Sequence, residues 1–474
     1  MTVIRPNSIS GVTSITGQSG DISIFRADGT AADLNVNNIT SGIITATHYG
    51  SGANLTSLPA GQLTGTVADA RLTTVSSSKL SGALPALDGS ALTGVGHSFG
   101  NSSVNTTGII TATAFISSQG TLANRNKIIN GDFTVHQRGG TIASSSGNYT
   151  LDRWRTYRSG SSSGGFSVEQ STGSYPQTNI SGVIDNFKAS AFITVTSAGS
   201  ADSGNNCKFQ QRIEGSNVYD LAFGTVAAKK VTVSFYVKCS LTGDFGVALV
   251  NGAHNRSNVQ LYTVNSASTW ERKILTFVGD TSGTWVTNTG TGLQLMFDMG
   301  SGSDKHTSSL NTWVSGEKHG TSSSVKLIHT NGATIQYAGV QLEAGEIATP
   351  FEHHSYADEL RRCGRYYQRI SGNNGTAIAM AFNYNTTLVD WVAQYPMGPM
   401  RAIPSLDQVN GSDYFQYQGG GQSVNHLDGA FVIEQGTTTQ ANIYFDPDNN
   451  LTAGGIGYIL TDNGSAYLAF SSEL

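Results

Sequence analysis

Charge is the scarcest property of this chain. Asp, Glu, Lys and Arg make up 12% of its 474 residues, about half the share of an ordinary globular protein. The balance is slightly acidic, with a formal net charge of −5, so there is no basic footprint for nucleic acid or an anionic membrane surface. Cysteine is sparse and odd in number. Cys207, Cys239 and Cys363 do not make a disulfide framework, and assembly in a reducing cytosol is the expectation. The start, Met1-Thr2-Val3-Ile4-Arg5-Pro6, lacks the apolar core of a signal peptide. No apolar run approaches membrane-spanning length. The expectation is a soluble protein, neither inserted in a membrane nor secreted by the general route.

What fills the space left by charge is glycine, at 57 residues, together with Ser, Thr and Asn. Hydrophobic residues are 38%, too many for a disordered chain. Thr and Val suit a pleated surface and Gly and Asn suit turns, so many short strands are predicted.

The composition is not uniform. Residues 1–35 mix short apolar patches with turn signals such as Ala27-Asp28-Gly29-Thr30. Residues 36–123 hold four charged residues, Asp69, Arg71, Lys79 and Asp88. Imperfect repeats run through them. Gly42-Ile43-Ile44-Thr45-Ala46-Thr47 returns as Gly108-Ile109-Ile110-Thr111-Ala112-Thr113, and Leu63-Thr64-Gly65 returns as Leu80-Ser81-Gly82 and Leu92-Thr93-Gly94. Each repeat has few aliphatic side chains. At roughly 25 cal/mol per Å² buried, one copy cannot offset a backbone entropy of about 1–2 kcal/mol per residue. Several copies sharing a thin apolar axis can, which predicts an intertwined shaft; a disordered linker is the alternative.

From residue 124 aromatics appear, and segments such as Val231-Thr232-Val233-Ser234-Phe235-Tyr236-Val237 alternate with the period of half-buried strands. A β-sandwich or jelly roll is predicted over 124–354. One helix is persuasive. Ser355 is a good N-cap with Asp358 three positions on. Leu360, Cys363, Tyr367 and Ile370 then fall on one narrow stripe, the spacing of a bundle seam. This predicts a helical collar over 355–371, packed on its own sandwich or against two symmetry mates. Residues 372–474 are β-like again and form the predicted tip.

These motifs resemble those of phage tail fibres, cyanophage fibres especially. The Gly-Ile-Ile-Thr-Ala-Thr units and Leu84-Pro85-Ala86-Leu87-Asp88-Gly89 resemble fibre shafts. Asn126-Lys127-Ile128-Ile129-Asn130-Gly131-Asp132-Phe133, Gln137-Arg138-Gly139 and Leu151-Asp152-Arg153-Trp154 resemble the opening of a carbohydrate-binding-module-like domain of phage tail proteins. Gly339-Val340-Gln341-Leu342-Glu343-Ala344-Gly345 resembles its closing strand. The resemblance implies a mostly β, elongated homotrimer of shaft, jelly roll, short collar and C-terminal β tip. Its N-terminal 1–35 would attach to a phage tail or nozzle/adaptor protein. The fibre would assemble in the host cytoplasm, reside in the virion tail and bind a host surface polysaccharide or outer-membrane protein. No cofactor is implied beyond a structural calcium at Asn130, Asp132 and Glu343, since such jelly rolls often hold one where first and last strands meet.

Sugar recognition uses aromatic rings against pyranose faces, with amides and carboxylates reading hydroxyls. In the tip, Tyr414, Phe415 and Tyr417 lie in a Gly- and Gln-rich segment, with Trp391, Tyr395 and His426 near in sequence. These six are the predicted receptor contacts, with a core role for Trp391 the competing reading. Trp154, between two arginines on an alternating strand, reads as core. Trp270, Trp285 and Trp313 are further platform candidates in the sandwich. The scattered acidic residues offer no spaced carboxylate pair of the kind glycosidases need, so the chain reads as a binding protein and not an enzyme. A purely structural fibre and a glycan-cleaving tailspike are the alternatives.

Overall fold

A computed structural model describes residues 28–30, 124–143, 146–161, 163–176, 186–200, 202–411, 414–419, 425–427, 429–447 and 451–474. The shaft expected over 36–123, and the attachment segment apart from 28–30, lie outside the described residues. Contacts divide the chain into Met1–Gly108 and Ile109–Leu474. In the first unit, Asp28 Oδ1 accepts from the Thr30 amide at 2.9 Å, which makes the turn that the sequence signals there.

The second unit begins with two facing sheets. One runs β1 (Ile142–Ala143), β4 (Gly165–Ser171), β5 (Ser190–Ser197), β13 (Thr334–Ala344), β7 (Val231–Cys239) and β10 (Glu271–Phe277). The other runs β12 (Trp313–Ser315), β9 (Arg256–Val264), β8 (Gly243–Asn251), β11 (Thr291–Asp298), β6 (Asn206–Glu214), β3 (Trp154–Ser159) and β2 (Ser146–Leu151). All their strand pairs are antiparallel, and the architecture is jelly-roll-like. Alternation does the work: Val231, Val233, Phe235 and Val237 of β7 face Leu293, Leu295 and Phe297 of β11 across one core. Trp154 is fully buried there, stacked on Phe209 with centroids 4.9 Å apart. The two tyrosines of this core satisfy each other, Tyr262 and Tyr337 hydroxyls lying 2.7 Å apart.

The opening and closing motifs meet in space. The Lys127 amide donates to the Leu342 carbonyl and the Val340 amide to the Gly131 carbonyl, each at 2.8 Å. A Cβ at Gly131 would sit 2.1 Å from the Val340 oxygen, so glycine is required for that approach.

Helix α1 (Tyr356–Gly364) follows. Ser355 caps it, its Oγ accepting from the Asp358 amide at 3.2 Å. The collar prediction needs correction in its extent. The helix ends at Gly364, and Tyr367 and Ile370 lie on strand β14 (Tyr367–Ser371). Tyr-Tyr-Gln-Arg-Ile is aromatic and β-branched, a sequence that favours a pleated surface, and a partner strand is present to take it. The seam is corrected too. Cys363 is fully buried within its own chain, beside Ile129, Val135 and Tyr366, with Leu360 packed against the same cluster. The stripe residues on α1, Cys363 and the partly buried Leu360, therefore pack on the sandwich of their own chain.

The C-terminal domain has a small sheet, β14, β23 (Tyr467–Ser471) and β17 (Ser405–Gln408), facing a large one. The large sheet runs β19 (Asn425–His426), β18 (Phe415–Gly419), β22 (Ile456–Thr461), β15 (Ala377–Asn383), β16 (Val389–Gln394), β21 (Gln440–Phe445) and β20 (Val432–Gly436).

Candidate functional site

Most of the predicted receptor aromatics face the wrong way for the role. Trp391, Tyr395, Phe415 and Tyr417 are all 5% exposed or less and form the tip core with Phe431 and Ile443. Trp391 and Phe415 each meet the Phe431 ring edge-on, and Tyr395 packs on Phe470 with centroids 4.9 Å apart. Tyr414 is half-buried against the same core. His426 alone of the six is exposed, its Nδ1 2.9 Å from Asp462 Oδ2. These are corrections with one cause: period two tells which residues share a face, and the aromatic face here is inward. The sandwich tryptophans are not free platforms either. Trp285 and Trp313 pack edge-on against each other and against Phe223.

The alternate residues of the same tip strands form the outer face. Met380 stands opposite Tyr458 and Phe382 opposite Ile456, and with Val392 these side chains are 42–64% exposed. Five large apolar groups on one sheet face make the kind of contiguous patch that marks an interface.

The sandwich and tip are held by charge pairs that close over the opening motifs. Asp152 accepts from the Gln137 amide and from its side chain, both at 2.7 Å. Gln137 Nε2 also donates to the Tyr367 carbonyl at 2.9 Å. Arg153 has φ +69°, the left-handed region. Its guanidinium pairs with Glu473 and lies 3.6 Å from the Tyr366 ring centroid. Arg138 pairs with the same Glu473 at 3.1 Å and stacks 3.7 Å from the Tyr367 centroid. On the far side, Arg365 binds Glu214 through two nitrogens, at 2.7 and 3.0 Å, and the Tyr366 hydroxyl donates to Glu214 at 2.8 Å. Burial works against the Glu214 charge, but the hydrogen bonds from Arg365, Ser216 and Tyr366 outweigh it and hold the carboxyl below its usual range.

Between the two domains this joint leaves a cleft of ≈ 560 Å³, within the size range of ligand pockets, roughly 300–1,000 Å³. Its wall from the sandwich includes Arg138, Asn148 and Tyr149, and its wall from the tip includes Tyr367, Asp407 and Tyr467. The Tyr367 and Tyr467 hydroxyls both donate to Asp407, one to each oxygen, at 3.1 Å. Burial pushes both phenols up, and Asp407 adds to the effect, so each keeps its proton as a donor. Arg369 lies 4.2 Å from the Tyr467 ring centroid. The cleft thus presents the half-buried rings of Tyr149 and Tyr467, with Tyr367 itself buried, beside a carboxylate, amide and hydroxyl groups, with cationic and anionic groups in balance. Sequence reasoning missed it because its residues come from five separated segments. The one local signal was the arginine beside Trp154, Arg153, whose role is this joint.

The calcium prediction does not fit the donors. Asn130 spends its amide inside, its Nδ2 donating to the Val135 and Asp152 carbonyls and its Oδ1 accepting from the Val135 amide. Asp132 Oδ1 accepts from the Thr134 hydroxyl at 3.0 Å in a local turn. Glu343 is bound by Gln341 and Thr349. Among the described residues, no three His, Cys, Asp or Glu side chains gather as a metal would need.

No family model and no curated protein matches the chain. Solved structures that align with it include the enzymatically active domain of tailspike protein 4 of bacteriophage CBA120. That alignment has 12% identity and a TM-score of 0.24, and spans 46% of this chain and 21% of that one. A family 11 carbohydrate-binding module of Clostridium thermocellum, in complex with a β-1,3-1,4-mixed-linked tetrasaccharide, aligns at 11% identity and TM-score 0.21, over 45% of this chain and 98% of that one. A putative sugar-binding protein of Bacteroides thetaiotaomicron aligns at 11% and 0.25, over 47% and 100%. Likeness at this level does not carry a ligand or an activity to this chain.

Proposed function

We propose that this chain is a phage tail fibre that binds a neutral glycan of the host surface in the cleft between sandwich and tip. The observation that carries the glycan reading is the pair of phenols converging on Asp407 beside open tyrosine surface. Sugar hydroxyls can donate to the remaining lone pairs of Asp407 and of the Tyr467 phenol oxygen, whose own proton goes to Asp407, while a pyranose face covers a ring. The local charge balance favours a neutral sugar. Hydrolysis of a glycosidic bond calls on two carboxylates roughly 5–10 Å apart, and the cleft lining supplies Asp407, which supports recognition over cleavage.

The shaft repeats and the apolar outer face of the tip support a homotrimer, attached by its N-terminus to a tail or nozzle/adaptor protein. Three copies would turn weak sites into tight adsorption, a gain of roughly 10²–10⁴. The test is retention of purified host surface polysaccharide by the full chain. Asp407→Ala and Tyr467→Ala each lower retention at least tenfold, while Tyr414→Ala leaves it unchanged. Equal retention by all four proteins would overturn the assignment, and release of oligosaccharides during the incubation would replace it with a tailspike.

A further inference from the structure

We infer that the chain carries a second saccharide site, in an open groove of ≈ 590 Å³ lined by residues from three separated segments, 124–129, 216–220 and 362–366. The volume falls within the roughly 300–1,000 Å³ of ligand pockets. No residue lines both this groove and the cleft; Tyr366 belongs to the groove and its neighbour Tyr367 to the cleft. The inference rests on the same neutral host glycan as the cleft reading, and stands on other residues.

Tyr219 is the platform. Its side chain is 67% exposed, yet the backbone that carries it is anchored. Two 3₁₀ turns, Gly215–Asn217 and Tyr219–Leu221, follow β6. The Gly215 amide donates to the Gly290 carbonyl at 2.8 Å and the Ser216 amide to the Asn288 carbonyl at 2.9 Å. Val218 and Leu221 are buried in the sandwich core. Ala222 ends the second turn at φ +54°, in the left-handed region, which a residue with a Cβ seldom adopts. The backbone under the ring therefore has little freedom left to lose when a ligand binds, and the face of an exposed phenol ring suits a pyranose.

The charged groups around Tyr219 are held in place and cancelled. Each cation lining the groove has a carboxylate: Lys127 pairs with Asp220 at 2.9 Å, Arg362 with Glu359 at 3.0 Å and Arg365 with Glu214 at 2.7 Å. What the groove offers is hydrogen-bonding capacity. The exposed Asn217 amide and Tyr219 hydroxyl make no hydrogen bond among the described residues, so both can donate and accept. The Ser216 hydroxyl donates to Glu214 at 2.7 Å, and its lone pairs remain to accept. A protein partner would need an apolar centre to its interface. The one aliphatic residue of this lining, Ile129, is buried. One exposed ring among amides, hydroxyls and neutralised ion pairs fits an uncharged polyol instead.

The experiment is retention of purified host surface polysaccharide by the full chain and by Tyr219→Ala, Tyr219→Phe, Tyr467→Ala and the Tyr219→Ala/Tyr467→Ala double variant. Because Tyr219 is exposed, its replacement should leave the melting temperature unchanged. Tyr219→Ala should lower retention at least tenfold, and Tyr219→Phe, which keeps the ring, should stay within about twofold of the parent. The double variant should fall to background, since two linked sites on one polymer reinforce each other. Retention should hold steady from about 50 mM to about 0.5 M sodium chloride, because an uncharged ligand leaves salt nothing to screen. Parental retention by Tyr219→Ala overturns the site. A Tyr219→Phe protein as weak as Tyr219→Ala overturns the stacking on which it is built, and a steep fall with salt overturns the neutral ligand. Loss with Tyr467→Ala alone removes the groove and keeps the cleft. Loss with Tyr219→Ala alone does the reverse, and no retention by the parent removes both.

Discussion

The sandwich and the tip each carry a seven-stranded antiparallel sheet, and the two sheets treat their outer faces in opposite ways. In the sandwich that face is polar and partly roofed. Residues 317–320 cross it, with Glu317 bound to Lys208 and the His319 carbonyl lying where a Cβ on Gly246 would be 2.3 Å away. In the tip the corresponding face is bare and apolar, with Met380, Phe382, Val392, Ile456 and Tyr458 exposed. The sandwich covers its sheet with its own chain, whereas the tip leaves that task to something else. Exposed apolar patches of this kind mark interaction surfaces, and the proposed homotrimer would cover this one.

The largest expected effect breaks that contrast. Val392→Asp together with Ile456→Asp should make the tip face as polar as the sandwich face. Burying those charges at an interface is costly, and association should weaken at least a hundredfold, about 3 kcal/mol. Light scattering should then report monomers while the circular dichroism of the β domains stays the same. Unchanged association would mean that the bare face is not the contact.

Next is the joint that holds the two regions together. Glu473→Ala removes the carboxylate shared by Arg138 and Arg153, both almost fully buried. Leaving buried cations unpaired costs about 3–5 kcal/mol, read as a lower urea midpoint. A loss under about 1 kcal/mol would show the regions to be held by their apolar contacts instead.

Acid should act on the sandwich before the tip. Asp298 and His319 form a fully buried pair 3.2 Å apart. Burial pushes the Asp298 carboxyl up, but the His319 hydrogen bond and charge outweigh it and bring it from 3.8 down to about 2. A carboxyl lowered on folding binds its proton more readily when unfolded. Its contribution is complete above pH 3.8 and is lost as pH falls through about 2. The loss is on the order of 2 kcal/mol, measured by denaturant titration across that window. Asp298→Asn should flatten the sandwich's dependence there and leave the tip's unfolding unaltered.

The smallest effects lie between the regions, on α1. Ser355→Ala removes the cap and should cost about 1 kcal/mol, with Ser355→Asp restoring it. Arg361→Ala, losing a solvent-exposed pair with Asp358, should change stability by about 0.5 kcal/mol or less.

The same contrast shows what the sequence could and could not tell. Strand alternation located both β regions, the Ser355 cap located the helix start, and Trp154 read correctly as core. What alternation lacks is a sign. On β18, Phe415 and Tyr417 alternate with Gln416 and Gln418, and nothing local says which pair faces the core. The burial of Phe415 and Tyr417 follows from the ring of Phe431, which is distant in sequence. The helix end failed for a related reason: Cys363, Tyr367 and Ile370 fit a helical stripe, yet β23 supplies a partner for Tyr367–Ser371, and that pairing is non-local. The cleft was illegible because Tyr149, Tyr367, Asp407 and Tyr467 meet only once two domains dock.

The most direct test is a crystal structure of the full chain soaked with the neutral oligosaccharide released chemically from the host surface. The account predicts sugar density between Tyr149 and Tyr467, with a hydroxyl hydrogen-bonded to Asp407. Sugar lying instead on Met380, Phe382 and Tyr458, with the cleft filled by water, would contradict it.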